Sequence, residues 1–164
     1  MFDYFSKNAE MIDYKDEEQR MYIGCFCIID KDNILKDIHL NIPYIYDEIT
    51  MLISIHEIIH GIILYKKLNK KYKHDNTIES LSLLYEKIYM EETESKTLNS
   101  YQQELNSKIN QENPNHKEYI LALTIREELY QKYNYDIKEM QKLSKKLIRK
   151  YNKQVKYLTI KQKS

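Results

Sequence analysis

His56-Glu57-Ile58-Ile59-His60 is the stretch whose residue types and spacing spell out a reaction. On a helix, positions four apart lie one above the other, so both imidazoles leave the same face. Two neutral imidazoles placed this way can hold one Zn2+ from one side. Glu57 lies about 100° further round the helix. It is then near the metal without ligating it, where its carboxylate can take a proton from a metal-activated water.

The flanking residues argue for that chemistry. Positions 49–64 read Ile-Thr-Met-Leu-Ile-Ser-Ile-His-Glu-Ile-Ile-His-Gly-Ile-Ile-Leu, apolar nearly all round. Such a helix is expected to be buried. Burying two imidazoles and a carboxylate without partners would cost on the order of several kcal/mol. A metal and its water would satisfy all three together. A metal site therefore explains the stretch better than a core helix that happens to carry two histidines.

At these residues the chain resembles the zincin metallopeptidases. The metzincin pattern would need Gly at 63 and His at 66, where this chain has Ile63 and Lys66. The gluzincin pattern needs a downstream Glu at the start of a second helix. Glu79 stands there, in Asn76-Thr77-Ile78-Glu79-Ser80-Leu81. The chain is similar to the small gluzincins, sometimes called minigluzincins, over about residues 20–130. The resemblance implies one catalytic Zn2+ held by His56, His60 and Glu79, with Glu57 as general base. Glu86, Asp75 and His74 stay open as alternative third ligands.

In gluzincins a Tyr or His from a later helix steadies the tetrahedral oxyanion. The resemblance points to His116 and Tyr119 for that role, with Arg126 behind them, although apolar packing is the usual task of a tyrosine. It also implies that strand 34–42 is a sheet edge that takes up extended peptide substrate by main-chain pairing. Asp47 or Thr50 could orient a ligand imidazole. Larger gluzincins often use an Asp four residues beyond the ligand Glu for this, but the position here is Leu83. Peptide deformylases pair the same histidine motif with a cysteine ligand. Their glycine-rich segments are missing here, so Cys25 and Cys27 read as two buried thiols on one face of a strand.

The elements that must position these residues follow from pattern. Residues 1–20 are acidic with an aromatic start, which suggests a short helix or an ordered arm. Residues 21–29 are apolar and rich in β-branched and aromatic types, hence a strand. A turn cluster at 30–33 leads to a second, alternating strand at 34–42, which makes a hairpin and ends at Pro43. Asp47 is placed to cap or charge the first turn of the motif helix, expected to run to about Lys70. Asn76 or Thr77 can cap the next helix, in whose first turn Glu79 falls. Gly61 suggests close packing of another element against the motif helix. Residues 91–113 read as a surface helix or a partly ordered connection. Helices are expected from Lys117 to Tyr130 and over about 136–155, the last with Ile137, Met140, Leu143, Leu147 and Tyr151 on one stripe.

Composition sets the frame. The 164 residues suit one domain, here an N-terminal arm (1–20), a core (21–130) and a basic C-terminal helix (131–164). Gly and Pro number two each, which favours helices over tight turns. Net charge is +1, but residues 132–164 hold eleven Lys or Arg against two acids. The first reading of that segment is a solvated helix face. Contact with nucleic acid or an acidic partner, or a cover over the cleft, comes after it. Two cysteines one residue apart cannot staple a fold, and the acidic start has no signal-peptide run. No apolar stretch reads as long enough to span a bilayer, since His56, Glu57 and His60 interrupt the longest. The expectation is a cytoplasmic α+β protein: a small N-terminal antiparallel sheet packed on the motif helix, with a mainly helical remainder. Its expected activity is zinc-dependent hydrolysis of peptide bonds in a peptide or protein substrate. The rival is a zincin-like zinc-binding or nucleic-acid-binding regulatory protein that no longer cuts.

Overall fold

The structure, a computed structural model, describes residues 1–72, 76–109, 116–133 and 136–161; for Phe2, 105–109, 116–118 and 153–161 it describes the backbone alone. The fold is α+β. In chain order it runs α1 (Phe2–Asn8), β1 (Ala9–Ile12), α2 (Glu17–Arg20), β2 (Gly24–Ile29), β3 (Leu35–Pro43), α3 (Glu48–Tyr65), α4 (Thr77–Thr93), α5 (Lys96–Ile109), α6 (His116–Tyr130) and α7 (Ile137–Lys161).

The hairpin forms as its turn chemistry requires. Asp30 Oδ1 accepts the N–H groups of Asp32 and Ile34, each at 2.9 Å, and Asn33 takes a left-handed φ of 60°. The strands pair antiparallel, with Cys25 opposite Leu40 and Cys27 opposite Ile38. An irregularity between Ile28 and Ile29 breaks strict alternation, and Leu35 and Ile38 are both fully buried. Cys25 and Cys27 face the core together as free thiols, while Phe26 and Ile28 are exposed.

The sheet differs from expectation in one respect. β1 joins it in parallel, with Ala9 opposite Leu40 and Ile12 opposite Pro43, so the sheet is mixed and ordered β1-β3-β2. The strand expected at the edge, 34–42, is therefore the central one. The free edges belong to β1 and β2. A parallel neighbour needs a crossover connection, which α2 and β2 supply.

α3 packs between the sheet and α4, and α4 in turn packs on α6 and α7. The core runs through these layers: Leu35 and Ile38 from β3, Ile59, Ile63 and Leu64 from α3, Leu81 and Leu84 from α4, Ile125 and Leu129 from α6, Met140 and Leu147 from α7. α3 begins with a reciprocal cap. The Asp47 carboxylate accepts the Thr50 N–H at 2.9 Å, and Thr50 Oγ1 accepts the Asp47 N–H at 3.0 Å. It ends at Tyr65, short of the expected Lys70. Beyond it the chain turns through Asn69 at φ 58°, and Asn69 and Lys70 bond the backbone of Leu35. Gly61 meets the expected close approach: a Cβ there would lie 3.2 Å from Phe5 Cζ and 3.6 Å from Leu40 Cδ2.

By length and composition α3 meets the test for a bilayer-crossing helix, contrary to the sequence reading. Of its apolar side chains, Leu52, Ile59, Ile63 and Leu64 are buried and Ile62 and Tyr65 pack against the core, while Met51, Ile53 and Ile55 are half-buried and Ile58 is exposed. Within 91–113, residues 96–109 form a helix, the first of the two readings for that segment. On α7, Met140 and Leu147 are buried and Ile137, Leu143 and Tyr151 pack against the core as the stripe predicts. Lys142, Lys145, Lys146, Arg149 and Lys150 point outward.

Candidate metal centre

The site lies where α3 crosses α4. His56 and His60 are one turn apart on α3, with ring centroids 4.5 Å apart. Glu79 is in the first turn of α4, where unpaired backbone amides favour a charged carboxylate. One oxygen of Glu79, Oε2, lies 3.4 Å from Nε2 of His60 and 3.7 Å from Nε2 of His56. Two ligands at about 2.0–2.1 Å from a tetrahedral zinc are separated by about 3.3–3.4 Å. The spacing is thus close to that of groups that share a cation. Nε2 of His60 is buried and, among the described residues, makes no hydrogen bond, with Glu79 as its ion-pair neighbour. A buried ring nitrogen left without a partner is costly, and a metal bond would remove that cost.

Glu57 competes with Glu79 for the third position. His56, Glu57 and His60 can each bring one ligand atom within 4.8 Å of the others. Glu57, however, approaches His60 at Nδ1, at 3.6 Å, on the side away from Nε2. Glu79 faces Nε2 of both histidines. Glu57 lies instead between His60 and β2, close enough to Cys25 for its charge to act there. Burial, and then the neighbouring Cys27 and Glu57, push the Cys25 thiol far above its ordinary range. A thiol held protonated is a poor metal ligand.

The electrostatics centre on His56. Burial by itself would lower its pKa, but Glu79 and Glu86 outweigh it and raise the imidazole well above its ordinary range. For Glu79, burial would raise the carboxyl, and the two imidazoles instead pull it well below the usual carboxylate range. Glu86, weighed as a rival ligand from sequence, stands on the other side of His56, with Oε1 2.5 Å from Nδ1. Asp47 and Thr50, candidates for orienting an imidazole, are engaged in the helix cap.

Tyr119 lies in the first turn of α6, near enough to Glu86 and Glu79 for their charges to act on it. Burial first, then the charges of Glu86 and Glu79 against that of Arg126, raise its hydroxyl to about 12. Arg126 is less available. Its Nε and Nη2 bond Glu127 Oε1 at 2.9 and 2.6 Å. The His116 side chain, His74 and Asp75 lie outside the described residues. Tyr101 of α5 was not singled out by sequence. Burial first, then the charges of Tyr14 and Glu86, raise its hydroxyl. Among sixteen tyrosines, nothing in its local sequence marks it.

No protein-family model, no curated protein and no solved structure matches this chain.

Proposed function

We propose that the protein is a zinc-dependent metallopeptidase of gluzincin type. The observation that carries this reading is the convergence of two Nε2 atoms on one Glu79 oxygen, with the His60 nitrogen buried and without a hydrogen bond among the described residues. His56, His60 and Glu79 would hold the ion, leaving a fourth position open. Bound zinc would supply Lewis-acid activation of water and of the scissile carbonyl. Glu57, next to His56 on α3, would act as general base toward the attacking water and as acid toward the leaving amine. Tyr119 keeps its hydroxyl proton across the physiological range, so it can donate a hydrogen bond to a developing oxyanion. Two free thiols that face the core suit a reducing compartment, and a cytoplasmic location belongs to the same proposal.

Peptide-library cleavage by the zinc-loaded protein and by Glu57→Gln tests the reading. The wild type should cut. The variant should lose at least about 100-fold in rate while keeping its metal. Equal rates in the two would remove Glu57 from the chemistry.

One observation favours a second role. Lys142, Lys145, Lys146 and Arg149 are exposed on α7 and have no acidic partner among the described residues. The other face of α7 is spent on the core, so among the described residues a predominantly cationic surface, with Glu139 as its one acid, is what remains for a polyanion. Nucleic-acid binding through it would weaken steeply with salt.

A further inference from the structure

We propose that Glu86 is the residue that orients His56 for metal binding. The inference rests on the metal site proposed above. A ligand imidazole must present one nitrogen with its lone pair free, so the other must carry the proton. Glu86 Oε1 lies 2.5 Å from Nδ1 of His56, and both side chains are largely shielded from solvent. An anionic acceptor there holds the proton on Nδ1. That leaves Nε2 as the lone-pair nitrogen, on the side of Glu79.

The helix geometry explains how one element does both tasks. Glu79 and Glu86 are seven residues apart on α4, which is two turns and the same face. α4 lies against α3, so the two carboxylates bracket His56, one at each ring nitrogen. Leu83, midway between them on that face, is buried and has no polar atom to offer. The orienting carboxylate has thus moved one turn further along the helix from the position larger gluzincins use. The arrangement is also unequal. Among the described residues, His60 has Glu57 near Nδ1 at 3.6 Å, which is beyond a hydrogen bond. His56, by contrast, has a carboxylate within hydrogen-bond distance of its Nδ1.

The test is zinc affinity by chelator competition for wild type, Glu86→Ala and Glu86→Gln, beside the unfolding temperature of each metal-free protein. Glu86→Ala should bind zinc about 10–100-fold more weakly. Glu86→Gln keeps an acceptor but loses the charge, so it should weaken binding in the same direction by less. It also carries the test if the alanine variant does not fold. In the zinc-loaded wild type, nitrogen NMR should find the His56 proton on Nδ1. Wild-type affinity in both variants, with only their unfolding temperatures changed, would overturn the inference and leave the metal site standing. A wild type that takes up no zinc would overturn both.

Discussion

His60 holds a buried ring nitrogen that, among the described residues, makes no hydrogen bond and faces a carboxylate oxygen 3.4 Å away. Leaving such a group unsatisfied costs about 1–3 kcal/mol. Without metal, protons take over part of the cation's task. The raised His56 pKa stabilises the fold below the ordinary value of 6.5, and this is lost as pH rises through the raised folded value. The lowered Glu79 pKa stabilises the fold above the ordinary value of 4.5, and this is lost as pH falls through the lowered one. For this pair, metal-free protein should therefore be most resistant to denaturant between pH 4.5 and 6.5. Its midpoint should fall on the alkaline side, and added zinc should remove that fall. A midpoint that is flat with pH in chelator would mean that the pair is not coupled. The His-Glu-x-x-His spacing was legible because helix periodicity alone aligns its rings. The position of Glu86 was not, because which ring nitrogen a carboxylate reaches depends on how α4 crosses α3.

At the scale of elements, α3 was the most legible part of the chain. Its apolar run, the Asp47 cap and Gly61 all have the physical causes the sequence suggests. Asp47→Ala should cost about 1 kcal/mol, measured by chemical denaturation, because it removes the acceptor for the Thr50 amide. Gly61→Val should destabilise by about 1–3 kcal/mol, since even a Cβ there meets Phe5 at 3.2 Å. An unchanged midpoint for Gly61→Val would mean that α1 is not seated on α3. β1 was illegible for a definable reason. Ala9, Glu10 and Met11 are exposed and only Ile12 is buried, so no alternation marks it as a strand. It exists because β3 offers an edge to pair with. That pairing makes β3 central, and any strand-like substrate would have to use the edge of β2 or β1. The end of α3 was missed for a similar reason, since backbone bonds to Leu35, remote in sequence, turn the chain there.

The whole molecule separates its charge from its core. α7 contributes Met140 and Leu147 to the interior, and Ser144 bonds Ser80 of α4 at 2.8 Å. Leu147→Ala should destabilise the protein by about 2–5 kcal/mol. Lys145→Ala and Lys146→Ala, on the outer face, should stay within about 0.5 kcal/mol of wild type. Comparable losses in all three would contradict the division of α7 into a core face and a solvated face. That division was legible from the stripe at helical spacing. The layering of α4 on both α3 and α6 was not, yet it is what brings Glu79, Glu86 and Tyr119 to one place.

The central claim is a three-ligand zinc site, and elemental mass spectrometry of the purified protein beside Glu79→Ala tests it most directly. The account predicts about one zinc per chain in the wild type and a clear loss in the variant. Full zinc in both would move the third ligand away from Glu79. No zinc in the wild type, even after incubation with the ion, would contradict the claim outright.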